Sequence, residues 1–319
     1  GAQGADISVI PSIAIKQVEV LRDGAAAQYG SDAIAGVMNF QLKDASEGGK
    51  FEVRKGQYFE GDGDTTQISG NVGLPFTDSG FANLSFQYKT ADATSRSVQR
   101  PDAAGFAAAG VPDVSSLAQV WGAPEVDDDI SIFGNVGLEL TKNSEFYMFG
   151  NYSERDVRGG FYYRNPHTRP GVYSNDGGET LLVGDLTGDM SGNCPTNIMI
   201  DDNVLDNPVY INQVANNPDC FAFNEMLPGG FTPNFGGNIT DTSLTIGTKG
   251  EFTGGMLEGA YYDLSGTVGF NESRYFIYDT INASLGPDSP RDFSPGKYSQ
   301  LEKNFNFDLS KGFDFDLAY

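Results

Sequence analysis

From residue 50 onward, apolar and polar residues alternate along the chain with a period of two. Between Ile130 and Leu140 the even positions are apolar or glycine, and most odd positions are polar. Successive side chains of a strand point to opposite faces, so this alternation predicts strands with one apolar and one polar face. The pattern predicts nine strands, at 50–60, 64–75, 80–92, 128–141, 144–158, 240–252, 258–273, 298–310 and 312–319.

The connections between these strands are of two kinds. Short turns such as PFTDSG, TKNS, TGGM and SKG alternate with longer links, and three of these links are very long, at 93–127, 159–239 and 274–297. Loops above ~12–15 residues are uncommon in compact soluble domains. Outer-membrane barrels place short turns on one rim and long loops on the other. Counting strands up and down gives that arrangement here, which favours a membrane β-barrel over a soluble sandwich with its apolar face inside.

Composition excludes some classes of protein. The net charge is −23 and the pI is about 4.2, which argues against nucleic-acid binding. No apolar run is long enough for a transmembrane helix, but a membrane strand needs only ~9–11 residues. The chain starts at Gly1 without an initiator methionine or a signal-peptide pattern, so we expect a mature protein or a piece of one.

The N-terminal segment has a different pattern. It predicts a strand at about 15–21, a turn or short helix at 25–29 and a second strand at 37–42. Gly24 and Gly30 would permit bends, and Gly36 close packing. These glycines do not indicate a nucleotide site, because they match neither a phosphate-binding loop nor a dinucleotide fingerprint. The segment therefore predicts a small α+β unit.

This segment, IPSIAIKQVEVLRDGAAAQYGSDAIAGVMNFQLK at 10–43, closely resembles the end of the plug domain of TonB-dependent outer-membrane receptors. The shared positions are Ile15, Val18, Glu19, Val20, Arg22, Tyr29, Gly30, Ala33, Gly36, Val37, Asn39 and Lys43. The family commonly has Gly-Pro after the arginine region, where this chain has Asp23-Gly24. The plug-motif residues are Glu19, Arg22, Tyr29, Gly30, Gly36 and Asn39. Glu19 and Arg22 would pair with each other or with the barrel wall, or would be ordinary solvated charges.

The resemblance implies a mainly β fold: a transmembrane antiparallel β-barrel of about 22 strands filled by a small α+β plug. Residues 1–46 would be the C-terminal part of the plug, and 47–319 the first nine or so strands. Nine strands cannot close such a barrel, so we expect a partial barrel from a longer receptor.

The implied function is TonB-dependent import of a scarce nutrient across the Gram-negative outer membrane. The substrate remains open among ferric siderophore, cobalamin, oligosaccharide and peptide. Expected partners are the periplasmic TonB of the inner-membrane motor, lipid and lipopolysaccharide, the nutrient, and an outer-membrane lipoprotein or other surface partner. We expect no nucleic acid and no catalytic residues. The alternatives are a passive outer-membrane channel, an outer-membrane enzyme or a secreted β-sandwich binding protein.

The long links contain candidate ligand-binding residues. Aromatic rings beside arginines suit stacking on sugars, catechols or peptides, whereas a loop packed on its own rings is the alternative. The candidates are Trp121, Tyr162, Tyr163, Arg164, His167 and Arg169. His167 is the sole histidine, and nothing near it in the sequence supports a metal site or a catalytic triad.

Two further features lie in the 159–239 link. Cys194 and Cys220 predict a disulfide in an oxidising compartment, with two free thiols as the alternative. A calcium loop is suggested by alternating oxygen-bearing residues, although Met190 and Thr196 stand where such loops have glycine and glutamate. The candidate ligands are Asp185, Thr187, Asp189, Ser191 and Asn193. The alternative is a solvated turn, and we expect no other cofactor. Acidic residues outnumber basic ones nine to two between Gly159 and Gly237. This excess could steer cationic ligands, bind divalent ions that bridge lipopolysaccharide, or simply form a solvated surface.

Overall fold

The computed structural model describes residues 7–22, 29, 33 and 35–313. In chain order its strands are β1 Ile15–Arg22, β2 Gly36–Leu42, β3 Gly49–Gly56, β4 Thr65–Pro75, β5 Gly80–Ala91, β6 Glu125–Thr141, β7 Ser144–Gly160, β8 Gly184–Asp185, β9 Cys220–Phe221, β10 Asn234–Glu251, β11 Ala260–Tyr278 and β12 Phe293–Lys311. The helices are α1 Pro101–Ala108 and α2 Pro208–Tyr210, which continues into a π turn at Ile211–Ala215. Single 3-10 turns lie at Ile7–Val9, Ser12–Ala14, Val204–Asp206, Phe223–Glu225, Gly255–Leu257 and Ala283–Asp288.

One large antiparallel sheet dominates the fold. Its strand order is β12-β11-β10-β7-β6-β5-β4-β3, so each strand pairs with its neighbour in the chain once the two-residue strands β8 and β9 are set aside. Strands β1 and β2 form a separate antiparallel pair, as do β8 and β9. The chain is therefore mainly β, an open run of up-and-down strands that forms part of a barrel.

Eight of the nine predicted strands are present. Of the ninth, 312 and 313 are outside any strand and 314–319 lie outside the described residues. The predicted boundaries were wrong for several strands, most clearly β10, which begins at Asn234 rather than 240. Gly236, Gly237 and Asn238 interrupt the apolar alternation, yet they pair with β7 on one side and β11 on the other. Hydrogen bonding to two neighbours maintains the strand where the side-chain pattern ends.

The two faces of the sheet have the inverse polarity of a soluble β protein. Leu84, Ile132 and Val268 are 46%, 48% and 48% exposed on one face. On the other face Ser85 and Ser131 are buried, at 4% and 1% exposure. The apolar side chains therefore point away from the covered interior, as strands facing hydrocarbon require.

The polar face is covered by the N-terminal module, which we define as residues 7–22 and 35–48. Strands β1 and β2 of this module pair in register, with Glu19 opposite Asn39. The turn at Ser12–Ala14 contacts β4 and β5, and the turn at Ile7–Val9 contacts β7. Buried polar groups need hydrogen-bond partners, and Asn83 and Asn135 of this face find theirs in carbonyl groups of the module.

The segment that links the module to the sheet lies directly on β4. A Cβ atom at Gly73 would lie 2.4 Å from the carbonyl oxygen of Ala45. The Gly73 N–H donates a 2.9 Å hydrogen bond to the Gly48 carbonyl. Only glycine permits this close approach of the backbone, so the linker is fixed where it enters the sheet.

All long connections leave the sheet at the same edge. Because the sheet is antiparallel throughout, residues 57–64, 92–124, 161–233 and 279–292 emerge together, at what we call the loop edge. The tight turns lie at the opposite, turn edge. The predicted division between short and long connections is therefore present. No helix among the described residues is long and apolar enough to span a membrane.

Candidate functional site

The connections at the loop edge pack against one another. The Asn165 amide Nδ2 donates a 3.0 Å hydrogen bond to Asp102 of α1, and the Tyr163 backbone N–H donates a 2.8 Å bond to Gln119 Oε1. Arg96 forms a salt bridge with Asp62 of the 57–64 connection at 2.5 Å. Three connections therefore form one layer, which can hold side chains in fixed positions.

The 161–233 connection contains a small hydrophobic core of its own. The core is formed by Leu181, Ile198, Val204, Tyr210, Val214, Cys220 and Ala222. A disulfide joins Cys194 and Cys220, whose Cα atoms are 5.6 Å apart. The Tyr210 hydroxyl donates a 2.9 Å hydrogen bond to Glu225. We call residues 161–233 the loop domain, because buried apolar side chains and a disulfide stabilise it.

Five aromatic rings form a continuous arc at the loop edge. The ring centroids of Trp121 and Tyr162 are 5.1 Å apart, and those of Tyr162 and Phe161 are 5.4 Å apart. The series continues to Phe235 at 6.2 Å and from there to Tyr275 at 5.6 Å. These distances suit aromatic contact. We call this series the aromatic arc; its rings come from the 92–124 connection, the loop domain and two strands.

The aromatic arc belongs to the face of the sheet that carries the N-terminal module. Phe235 is paired with Gly159, which shares its face with Arg155, a residue in contact with the module. Tyr275 is paired with Gly237, two residues from Phe235 and so on the same face. Trp121 is 48% exposed, Tyr162 56% and Phe235 40%. The arc therefore presents accessible rings above the module, at the mouth of the polar interior.

The predicted ligand-contact residues occupy different positions relative to the arc. Trp121 and Tyr162 belong to it, and the guanidinium carbon of Arg164 lies 5.3 Å from the Phe161 centroid. Tyr163 is directed elsewhere, because its hydroxyl donates a 2.6 Å hydrogen bond to the Gly229 carbonyl. Burial raises the pKa of Tyr163. Arg169 lies at a turn in the loop domain, where its carbonyl accepts from Tyr173.

His167 packs within the loop layer. Its ring lies edge-on against Phe106 of α1, with centroids 4.5 Å apart. Burial lowers the pKa of His167, while Asp202 and Asp201 act in the opposite direction. A neutral, packed imidazole fits a role in joining α1 to the loop domain. Across the described ranges, no group of three or more His, Cys, Asp or Glu side chains is placed to hold a metal ion.

The candidate calcium ligands form a turn bonded within itself. Asp185 accepts hydrogen bonds from the backbone N–H groups of Thr187 and Gly192, both at 2.9 Å. The hydroxyl of Thr187 also donates to it, and these bonds lower the pKa of Asp185. The Ser191 N–H donates to Asp189 at 3.2 Å, and the Asn193 amide donates to the Ser191 carbonyl at 3.0 Å. The calcium site stays a prediction.

The plug-motif residues lie in and around the β1–β2 pair. Glu19 accepts hydrogen bonds from the amides of Asn39, Gln41 and Gln17, at 3.0, 2.8 and 2.8 Å. Arg22 lies opposite Gly36, whose φ is 134° and where a Cβ would be 2.5 Å from the Leu21 carbonyl. Tyr29 is exposed. Gly30 and most of the predicted 25–29 turn lie outside the described residues.

Three residues of the sheet bind the N-terminal module directly. Asn135 donates a 3.0 Å hydrogen bond to the Lys43 carbonyl, and Asn83 donates a 3.2 Å bond to the Ala45 carbonyl. Arg155 Nη1 donates to Ser8 Oγ at 3.2 Å. Its Nε lies 3.0 Å from an oxygen of Asp129, an ion pair without hydrogen-bond alignment. The module is thus held through side chains of β5, β6 and β7.

Sequence reasoning missed several of these positions. Phe235 and Tyr275 fall within links predicted as irregular. They nevertheless continue the alternation of β10 and β11, and both lie on the face that carries the N-terminal module. Arg155 and Asp129 are charged residues on a face otherwise rich in serine and asparagine. If the alternation of each strand had been extended beyond its last apolar residue, it would have placed Phe235, Tyr275, Arg155 and Asp129 on this face.

Comparison with known proteins supplies the family. A family model described as the TonB-dependent receptor plug domain matches residues 1–37. The vitamin B12 transporter BtuB of Vibrio vulnificus (strain YJ016) is 34% identical over 91 residues, which cover 28% of this chain and 14% of that protein. The match therefore covers a small part of the curated relative.

Two solved structures are similar over most of the chain. A mutant ferric enterobactin receptor, PfeA, from Pseudomonas aeruginosa in complex with enterobactin has 15% identity and a TM-score of 0.48. That match covers 95% of this chain and 34% of that one. The siderophore receptor PirA from Acinetobacter baumannii has 15% identity and a TM-score of 0.49, covering 96% and 33%. The chain spans about a third of the length of each.

The plug-domain match overlaps the N-terminal module, and this module covers the polar face of an antiparallel sheet whose apolar face is exposed. The N-terminal part of the chain is therefore identified as a plug domain of the TonB-dependent receptor family, and it is followed by the strands of the antiparallel sheet.

Proposed function

We propose that this receptor imports a scarce nutrient across the Gram-negative outer membrane, using energy delivered through the periplasmic TonB protein. The nutrient would bind at the aromatic arc and the upper surface of the plug. Displacement of the plug from the polar face of the barrel would then open the path. No covalent bond is made or broken in this sequence of events, so the function requires no catalytic residue.

The observation that carries the proposal is the contact between the plug and the polar wall. Asn83, Asn135 and Arg155 bind the N-terminal module through three separated hydrogen bonds. Hydrogen bonds between neutral groups contribute only about 0.5–1.5 kcal/mol each, and a bond from a charged group such as Arg155 about 1.5–3 kcal/mol. The turn at Ser12–Ala14, in which Ile13 and Ala14 are buried, adds a small apolar contact with β4 and β5. A plug held by these few contacts can be displaced by a modest force. This property suits a gated transporter better than a passive channel.

The surroundings support an outer-membrane location. Exposed aliphatic side chains lie along the outward face, and the disulfide in the loop domain fits an oxidising compartment. Lipid would contact the outward face, and lipopolysaccharide would contact the strand ends near the loop edge. A lipoprotein or another surface partner could join at the loop domain. A secreted sandwich protein would instead bury Leu84, Ile132 and Val268.

The test is nutrient-limited growth of the native host with the receptor gene deleted, with tonB deleted, and with both deleted. Iron, cobalamin, oligosaccharide and peptide limitation are compared in parallel. Under limitation of one of these nutrients, we expect the receptor deletion and the tonB deletion to slow its uptake equally. The double deletion should slow uptake no further than either single deletion does. Receptor-dependent uptake that persists without TonB would favour the passive channel and contradict the proposal.

A further inference from the structure

We propose that the aromatic arc binds an uncharged, polyhydroxylated ligand, an oligosaccharide, rather than an anionic iron chelate. This inference rests on the proposed transport function and specifies the substrate class at its binding site. It follows from three observations: the overall charge of the loop edge, the bonding of its arginines, and the accessibility of the rings.

The loop edge is strongly acidic and contains no lysine. The four connections at 57–64, 92–124, 161–233 and 279–292 carry eighteen aspartates and glutamates against five arginines. The ten lysines of the chain all lie outside these connections. A surface of one sign repels ligands of that sign and slows their approach. An anionic chelate would therefore meet an unfavourable potential before it reached the arc.

The arginines of the loop edge are largely engaged with protein groups. Arg96 forms salt bridges with Asp62 and Glu60, at 2.5 and 3.1 Å. Arg100 forms a bidentate pair with Asp102, with two bonds of 2.9 Å. Arg291 Nε donates to the Thr280 carbonyl, whereas Arg164 lies over the Phe161 ring with Arg169 nearby. Recognition of a multiply charged anion requires available basic groups, as phosphate and carboxylate sites show.

The immediate surroundings of the arc also disfavour a cationic ligand. The carboxylates of Asp62 and Asp102, on the connections that border the arc, are neutralised by arginines. Arg164 adds a positive charge directly beside Phe161. Arg164, whose pKa is lowered by burial and by the nearby Arg169, therefore places positive charge beside the arc, although the wider loop edge is negative. The acidic rim disfavours an anion at a distance and the arginines disfavour a cation at the arc, which together favour a ligand without net charge.

The geometry of the rings suits a chain of sugar units. Trp121, Tyr162 and Phe235 each expose two-fifths or more of their surface, and consecutive rings are separated by 5.1 to 6.2 Å. Aromatic rings offer apolar faces on which the C–H faces of sugar rings can pack. Carboxylate and amide oxygens around the rim can accept hydrogen bonds from hydroxyl groups. An extended row of rings fits a linear ligand better than a compact one.

The test uses the intact receptor in detergent and three probes: a panel of neutral hexasaccharides, a ferric tricatecholate and a cationic chitosan oligomer. Binding is measured by calorimetry for the native protein and for Trp121→Ala and Phe235→Ala. The matched control is Phe252→Ala, which removes a ring from an aromatic pair at the turn edge, 4.9 Å from Tyr262. We expect a neutral hexasaccharide to bind, and about tenfold weaker binding in each arc variant because each loses an aromatic contact. The control should bind as the native protein does.

Failure of this inference can be told from failure of the proposed function. Binding of the ferric chelate or the cationic oligomer, with no binding by any neutral hexasaccharide, overturns the inference. TonB-dependent uptake of that other probe would leave the transport function intact. Neutral binding that is unchanged in both arc variants would also overturn it, because the site would then lie elsewhere. Uptake that never depends on TonB contradicts the proposed function itself.

Discussion

The guanidinium of Arg155, on β7 of the wall, donates a 3.2 Å hydrogen bond to the hydroxyl of Ser8 in the plug. The same side chain lies 3.0 Å from Asp129, which is only 4% exposed. The plug is therefore held by a charge that also neutralises a buried carboxylate. Stability and plug retention are linked at one residue.

Replacing Arg155 should destabilise the receptor strongly. Arg155→Met leaves Asp129 buried without a counter-charge, which costs about 3–5 kcal/mol. Thermal unfolding of the purified receptor and protease cleavage of the plug report the two effects. Arg274→Met is the control, because Arg274 pairs with Glu272 while remaining 65% exposed, and exposed pairs contribute about 0–1 kcal/mol. Equal destabilisation by both variants would show that burial of Asp129 is unimportant.

The orientation of the apolar face can be tested by placing a charge at two different depths along one strand. Ile132 lies near the middle of β6, whereas Leu140 lies one residue from its end, and both are outward. Ile132→Arg should reduce folding stability in lipid vesicles by roughly 2–4 kcal/mol, and Leu140→Arg by roughly 0–1 kcal/mol. Denaturant titration in vesicles measures both. A larger loss at position 140 would mean that the centre of the strand does not face hydrocarbon.

The disulfide should stabilise the loop domain independently of the barrel. The double variant Cys194→Ser/Cys220→Ser removes a cross-link between residues 26 apart, which corresponds to about 3–4 kcal/mol in the chain-entropy description. We expect faster protease cleavage within 161–233, with the strands still resistant. Reductant should reproduce this cleavage in the native protein and add nothing in the double variant. Unchanged cleavage in all cases would mean that the hydrophobic core alone maintains the loop domain.

His167 should titrate below its ordinary range. Its pKa is lowered by burial against Phe106, so from about pH 6.5 downward the unfolded chain binds a proton that the folded chain does not. Folding stability should therefore fall as the pH falls through this window. The chain has one histidine, so NMR titration of the imidazole in this chain gives its pKa directly. Phe106→Ala should raise the pKa toward the ordinary value; a normal pKa in the native protein would contradict the packing.

The sequence predicted the strands correctly where the alternation of apolar and polar side chains extends as far as the backbone pairing. Ile132 and Ser131 mark two faces, because the side chain of the first is exposed and that of the second is buried. The pattern ends before the strand does at Gly236 and Gly237, where hydrogen bonds to both neighbours replace side-chain preference. The ends of the strands could not be placed from the sequence, because the backbone hydrogen bonds there are made with residues distant in the chain.

The candidate site was predicted in part for a similar reason. Trp121 and Tyr162 were recognised as aromatic residues in long links, and the arc includes both. Phe235 and Tyr275 join them through the register of β10 with its neighbours, which no local pattern contains. The pairing of Arg155 with Asp129 likewise depends on the register between β6 and β7.

The close fit of the linker on Gly73 has a mechanical consequence. Gly48 and Ala45 are bound at the root of the linker, Lys43 lies one step further along, and Ser8 is bound in the first turn of the N-terminal module. In the transport proposed above, tension applied ahead of Ser8 would load these attachments in series, from Arg155 toward Gly73. Each bond would then yield separately under a small load, and the anchored root would preserve the starting geometry to which the plug returns.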